Sequence, residues 1–375
     1  MEKKSRKRSR KLSDLDSHKI TKRVKQSEAS EAAKLIDLDL KQRIKNACKV
    51  KFPLRDDGTT LHLNVKTGDV ANRILSVGDT ARAIKISKFF DKPEHTVKVV
   101  SVKTFRVFTG TFRGVPVSII ATGMGYPMID FVVREIRHVI EGPMAMIRYG
   151  TCGVINPDYQ AGQVLVAAKG SIFAQTNCGE IIKGNRDKVY TIAKPVLPDI
   201  GLSALLVNNM REIIGRDKVK EVMNCSADSF YGSEGRFDPN FEGYNETLID
   251  DILSAYPQVV SLEMESFGLL NLATESMHCT AAAIGLIQRD DPKNILAPTK
   301  IKELEDMGGL SIVKSLAEYQ FPEGEPAYTQ TVLDRLHSYE LEHSQDKTVK
   351  PLALQRIIKK NPAIAKGLED LKKAK

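Results

Sequence analysis

The amino-acid sequence predicts an α/β fold, a three-layer sandwich in which a mixed, largely parallel central sheet is covered by helices on both faces. Three observations carry this. Short β-rich apolar runs alternate with segments of helical period along most of the chain. Several runs are apolar on both faces rather than alternating, the pattern of strands covered on two sides. The hydrophobic fraction is 42 % of 375 residues, ample for a sizeable core, yet no stretch reaches the roughly 18 unbroken apolar residues of a membrane span. In chain order the expected strands are 74–77, 97–102, 106–112, 115–121, 144–149, 163–168, 219–223 and 281–287. The helical patterns between them cover 80–90, 128–141, 201–214, 246–255, 265–276 and 309–319.

The two ends differ from this body. Residues 1–55 hold 18 Lys/Arg against 7 Asp/Glu, a net of +11, while the remaining residues hold 38 against 40. The overall charge of +9 therefore belongs to the N-terminus, and nucleic-acid binding is expected only through that basic tail. The tail also reads as a nuclear-import signal or a solubilising arm. It has no apolar h-region, so it is not read as a secretory leader. Residues 1–30 are expected to be disordered, because they carry too little apolar surface to offset ordering entropy. Residues 31–50 form a short amphipathic pattern. The expected organisation is a basic extension over 1–55, a folded body over 56–321, and a Lys-rich C-terminal extension over 322–375. That last segment has no firm period except a short helical pattern near 351–360. The five cysteines are scattered without a C-x-x-C, and the seven histidines show no H-x-H or H-E-x-x-H. That excludes a disulfide framework or zinc ribbon as the organising device, fits a reducing compartment, and predicts no metal site. The cytoplasm is the expected location, with the nucleus as the alternative through the tail.

In α/β sheets ligands lie outside the carboxyl ends of the strands, so the chemistry is sought there. Gly78 and Arg82, in Val77-Gly78-Asp79-Thr80-Ala81-Arg82, offer close backbone approach, free helix N–H groups and a cation to an anion; a plain turn capped by Asp79 or Thr80 fits the same residues. Thr122-Gly123-Met124-Gly125-Tyr126-Pro127 is not a dinucleotide fingerprint and reads as a turn or as a floor for a sugar or anion. Arg148 ends an apolar strand before Gly150-Thr151-Cys152-Gly153. An arginine there needs an anion, either a structural partner or a ligand held by Arg148 and Thr151. Glu263 and Glu265, either side of Met264, place two carboxylates at a strand-to-helix transition. A carboxylate there can grip a vicinal diol, or simply favour a helix N-terminus. Phe230-Tyr231-Gly232-Ser233-Glu234-Gly235-Arg236 combines aromatic faces with an acid and an arginine, suited to a flat heterocycle or to a local ion pair.

Together these motifs resemble the nucleoside phosphorylase superfamily, and within it uridine phosphorylase. G-D-x-x-R, T-G-M-G-x-P, R-x-G-T-x-G, S-F-Y-x-x-x-G-R and E-M-E-S occur in that family's order from about Leu61 to Phe321. The resemblance implies a phosphorylase/hydrolase-like fold over 56–321 and a pentosyltransferase. Inorganic phosphate would be the co-substrate, with no organic cofactor, and uridine would yield uracil and ribose 1-phosphate. It implies Arg148, Glu265 and Arg236 as catalytic residues, and Gly78, Arg82, Arg148 and Thr151 around phosphate. A further cation would come from a neighbouring subunit, Arg106 or Lys103. Glu265, Met264 and the neighbour's His62 would meet the ribose, and Phe230, Glu234, Arg236 and Arg289 the base. A dimer or hexamer, a trimer of dimers, is implied with these shared sites. No structural cation is expected, because Thr104 and Met128 stand where its ligands would be. Gln288-Arg289 replaces the Ser-Asp pair of purine-specific relatives, although Asp290 is adjacent. The resemblance also exposes a departure: Glu234 stands where uridine phosphorylases carry Gln. An ionised glutamate only accepts hydrogen bonds, so either it is held protonated, or another base is taken, or uridine is handled weakly.

Overall fold

A computed structural model describes residues 52–343 except Val102 and Pro292. The basic N-terminal segment and the Lys-rich end, with the calls made on them, lie outside the described residues. The chain divides at Pro53/Leu54, and the unit beginning at Leu54 is the one described.

Its centre is β1 (Arg73–Val77), every residue of it buried. On one side β1 pairs in parallel with β4 (Val115–Ala121), which continues antiparallel to β3 (Arg106–Phe112) and β2 (Val97–Val100). On the other side it pairs in parallel with β5 (Met144–Val154). β5 is long enough to serve two parts of the sheet. It runs parallel with β12 (Met277–Gln288) along nearly its whole length, and its last residues pair antiparallel with β11 (Val259–Glu263). From β11 the order continues through β10 (Met223–Ala227), β7 (Ser171–Thr176) and β8 (Tyr190–Ile192). β12 leads to β6 (Val164–Val166) and β9 (Val219–Glu221). The result is one mixed twelve-stranded sheet whose long central pairings are parallel, as the sequence predicts.

Helices cover both faces. On one, α1 (Thr80–Ser87), α4 (Ile200–Ile214) and α7 (Pro298–Glu318) bring Ile86, Leu206, Met210 and Leu310 against Leu75 and Ile147. On the other, α2 (Tyr126–Val139), α6 (Ser266–Leu272) and α8 (Tyr328–His343) bring Ile129, Ile136, Leu269 and Val332 against Ile74 and Met146. The short α3 (Cys178–Lys183) follows β7, and α5 (Leu248–Ala255) packs Leu248 and Ile252 on Ile172 and Cys225. Successive residues of a strand point to opposite faces, so a doubly covered strand carries apolar residues on both; Ile74 and Leu75 of β1 and Met144–Ile147 of β5 do.

Several elements differ from the sequence expectation. β7 and β8 were not among the expected strands, β10 was met only at Met223, and β11 only as the strand end beside Glu263, because Ser, Thr, Asn and Gln dilute the apolar pattern. α7 begins at Pro298, not 309, since its first turns are charged. α8 lies in the segment read as having no firm period; Tyr328 and Val332 are buried, and the Tyr328 hydroxyl donates to the Val70 carbonyl and accepts from the Gly68 amide.

Candidate active site

The carboxyl ends of β1, β4, β5 and β11, with the loop after β10, converge on a cleft of about 470 Å³. Many of the residues singled out in the sequence line it, among them Gly78, Arg82, Arg148, Thr151, Phe230 and Glu234, with Arg236, Met264 and Glu265. They meet because the sheet sets their strands side by side: Gly78 follows β1, while Arg148 and Thr151 lie within β5, which continues to Val154 where the sequence reading ended the strand at Tyr149.

Arg148 is the centre of one end. It is 3 % exposed. Its Nη2 is 2.9 Å from Glu265 Oε2, and its Nη1 donates to Thr122 Oγ1 at 2.9 Å. Its Nε is buried without a partner among the described residues. Two glycines keep that edge of the guanidinium open. A Cβ on Gly78 would sit 3.5 Å from Nη2, and one on Gly150 3.7 Å from Nε. An unpaired buried N–H is costly, so the edge is primed for an acceptor. Glu265 is fixed at its other oxygen, Oε1 accepting from the Gly125 amide at 2.6 Å. Gly125 adopts φ 91°, a region that favours glycine.

Glu263, the other acid of the pair, takes a different part. Oε1 accepts from Asn224 Nδ2 and Ser226 Oγ, and Oε2 from the Glu265 and Ser266 amides and Ser266 Oγ. Five donors tie this buried carboxylate to β10 and the start of α6, so it holds the backbone of Glu265 in place. Burial and the nearby Glu265 push its carboxyl upward, against the pull of those donors.

Arg82 comes from the first turn of α1, whose N-cap Asp79 accepts from the Arg82 amide. Its guanidinium is held by a residue the sequence analysis did not single out, Glu305 on α7, at 3.0 Å from Nε and 2.9 Å from Nη2. Nη1 donates to the Tyr149 carbonyl. No motif marks Glu305; only the packing of α7 beside α1 brings it there.

At the other group of residues, Glu234 is 3 % exposed and its Oε2 accepts from Arg236 Nη1, with Arg289 Nη1 3.7 Å away. Burial pushes the Glu234 carboxyl up, while Arg236 and Arg289 pull it down. Burial and the neighbouring Arg236 lower the Arg289 guanidinium. The Arg236 guanidinium lies 3.7 Å over the Phe230 ring and donates to the Phe230 carbonyl. Phe230, expected to stack on a base, thus stacks on Arg236 in this state. Arg289 does not line the cleft; it sits behind Glu234, with Nη2 donating to the Gly235 carbonyl.

His62, Arg106 and Lys103 lie outside this cleft. His62 Nδ1 is 2.6 Å from Glu135 Oε1, its ring packs 4.2 Å from that of Phe131, and the Glu135 carboxylate also accepts from the His62 and Leu63 amides. Arg106 Nη1 donates to the carbonyls of Ser101, Lys103 and Phe105, whereas the exposed Lys103 side chain makes no hydrogen bond or ion pair among the described residues. Those residues contain no group of three or more His, Cys, Asp or Glu placed to hold a metal.

Residues 72–308 match the model of the phosphorylase superfamily, well over half the chain, and the chain belongs to that family. It is 28 % identical over 225 residues to a uridine phosphorylase of Thermococcus kodakarensis, covering 59 % of this chain and 74 % of that protein. It is 32 % identical over 231 residues to a DeoD-type purine nucleoside phosphorylase of Geobacillus kaustophilus, covering 60 % and 84 %. Among solved structures, one from a study of two uridine phosphorylases of the oomycete Phytophthora capsici is 35 % identical, with a TM-score of 0.70, and covers 73 % of this chain and 99 % of its own. The fold is therefore the phosphorylase/hydrolase-like α/β sandwich that the motifs implied.

Proposed function

We propose that this member of the phosphorylase superfamily cleaves a nucleoside with inorganic phosphate, and that uridine is its substrate. The observation that carries the reading is the Arg148–Glu265 pair at the cleft, with the open edge of Arg148 between Gly78 and Gly150. Phosphate would accept from that edge and from Arg82. Fixed guanidinium donors are strong partners for such an anion. Glu265 accepts from the ribose hydroxyls. A phosphate oxygen attacks C1′ as the C1′–N bond breaks, and the bonding pair leaves with the base. The sugar passes through an oxocarbenium-like state flanked by phosphate and the Glu265 carboxylate. Charge on the departing base is met by Arg236, aimed donors being worth most where charge develops. Protonation of the base completes uracil, and the sugar leaves as ribose 1-phosphate.

Each arginine lining the cleft already faces a carboxylate, Arg82 with Glu305, Arg148 with Glu265 and Arg236 with Glu234. A phosphate dianion would gain from one more cation. Under the reading that a neighbouring subunit supplies it, Lys103 is the better source, because Arg106 is spent on three carbonyls of its own turn. His62 would reach the neighbour's ribose in the same assembly, a dimer or a hexamer.

A second reading, a different base, has specific support: purine nucleoside phosphorylases are as similar in sequence as uridine phosphorylases, and Glu234 departs from the uridine pattern. Phosphate-dependent release of base from uridine, deoxyuridine, thymidine, cytidine and inosine separates the two. Uridine as the preferred substrate is the expected result. Preference for inosine would select the second reading, and no release from any of them would remove both.

A further inference from the structure

Every other buried residue of α2 is apolar, yet Glu135 among them is 3 % exposed. A buried carboxylate is costly unless donors surround it. Among the described residues it forms no ion pair with a lysine or arginine. Its partners are three N–H groups of one short segment. Oε1 lies 2.6 Å from His62 Nδ1 and accepts from the His62 amide at 2.9 Å, and Oε2 accepts from the Leu63 amide at 2.7 Å. An ionised carboxylate only accepts, so Nδ1 carries the proton. When the ring is neutral, Nε2 is then a bare lone pair, the reverse of the tautomer that free histidine prefers. The bond at one ring nitrogen thus sets the state of the other. The ring is also held in place: Phe131, one turn before Glu135, packs 4.2 Å from it, and Ser101 Oγ donates to the His62 carbonyl. The His62 side chain is 27 % exposed, and its Nε2 makes no hydrogen bond among the described residues.

We propose that Glu135 is a positioning residue: it pins the His62 proton on Nδ1 and so leaves Nε2 as a fixed acceptor for a hydroxyl of the ribose in a neighbouring chain's cleft. The proposal rests on the reading of His62 as a neighbour's ribose contact, and adds the group that makes this contact an acceptor. A sugar hydroxyl donates to Nε2 and keeps its lone pairs for other partners. Glutamine cannot take the place of Glu135. Both of its oxygens face N–H donors, so an amide NH2 would meet an N–H whichever way it turned. Without the carboxylate the ring is free to carry its proton on Nε2, and that nitrogen then no longer accepts.

The first test reads the tautomer directly, by long-range proton–nitrogen NMR correlations of the histidine rings in the full chain, with His62 assigned by the signal that His62→Gln removes. At a pH where the ring is neutral, a protonated Nδ1 and a bare Nε2 are expected. A proton on Nε2, or the mixture of tautomers shown by free histidine, overturns the proposal. The second test compares the KM of uridine and of phosphate in the wild type and in Glu135→Gln, with folding checked by melting. The uridine KM is expected to rise roughly 10-fold, the loss of about one hydrogen bond, while the phosphate KM stays. A folded Glu135→Gln with the uridine KM of the wild type overturns the proposal. So does one in which both KM values rise together, which is what a general loosening of α2 would give. If Glu135→Gln does not fold, the wild-type spectrum still decides. If no nucleoside is cleaved at all, the phosphorolysis reading fails by itself, and the same spectrum still supports or overturns the part given to Glu135.

Discussion

At the scale of single residues, Arg148 bears the most on the proposed chemistry. Truncating it removes the open N–H edge and leaves the buried Glu265 carboxylate with only the Gly125 amide. Losing a donor aimed at the reacting groups costs about 2.7–4 kcal/mol of barrier, so Arg148→Ala should lower turnover by about two to three powers of ten. A variant that folds, by circular dichroism and melting, yet keeps the phosphate KM and kcat of the wild type would refute the assignment. Glu234 gives a pH prediction. Burial raises its carboxyl above the ordinary range, and the ionised form is the one that accepts from a ring N–H. Uridine kcat/KM should therefore fall as the pH drops through that raised value, and Glu234→Gln should flatten this limb; a limb that survives the substitution belongs to another group. These residues were legible because each stands in a short motif that joins charged groups to glycines. The sequence reading left open whether Glu234 is held protonated, meets another base or handles uridine weakly; the structure adds its pairing with Arg236, only two residues on. Glu305 and Glu135 were not legible, since Arg82 and Glu305, or His62 and Glu135, meet only through tertiary packing.

At the scale of elements, the strands that carry the cleft were readable where both faces are apolar, as in β1, β4 and the first half of β5. They were missed where polar residues are buried by pairing with one another. β10 is such a case: Asn224 and Ser226 are buried, yet both donate to Glu263. α8 had a signal, Tyr328, Val332 and Leu336 at helical spacing, all three packed in one core cluster, but many charges surround that stripe. α7 was cut short at its glycine pair, which the structure explains as close packing rather than a boundary. A Cβ on Gly308 would lie 2.0 Å from the Tyr149 hydroxyl, and one on Gly309 2.6 Å from Ile86 Cγ1. Gly308→Ala should therefore destabilise the fold by about 1–3 kcal/mol, despite the gain of about 1 kcal/mol in helix propensity. It should also weaken phosphate binding, because Tyr149 and α7 together hold Arg82 through the Tyr149 carbonyl and Glu305. Urea unfolding checks the first effect and the phosphate KM the second; a variant as stable as the wild type would mean that α7 is not seated on β5 as tightly as these distances require.

At the scale of the whole molecule, the cleft of one chain accounts for part of the expected set. Its arginines are matched by carboxylates, and His62 and Lys103 stand elsewhere on the same chain. The resemblance already assigned His62 and Lys103 or Arg106 to a neighbouring subunit, which composition and periodicity alone do not do, because they record order along the chain and not which subunit completes a site. The Glu135 carboxylate holds His62 by its ring and by two successive amides, and Arg106 grips the turn that carries Lys103. Both side chains are presented on firm supports although neither lines the cleft. If they serve a neighbour, sites built from two chains can be repaired by mixing two defects. A His62→Ala chain keeps a sound cleft but offers its neighbour no histidine; an Arg148→Ala chain offers the histidine but has a damaged cleft. In a hybrid, the cleft of the first chain meets the His62 of the second, and that site is whole. Co-refolding the two inactive variants should restore a fraction of wild-type turnover that depends on their mixing ratio, whereas either variant alone stays low. Activity that remains merely the sum of the two at every ratio, or a fully active monomer in sedimentation, would place His62 outside the chemistry and leave the cleft of a single chain as the whole site.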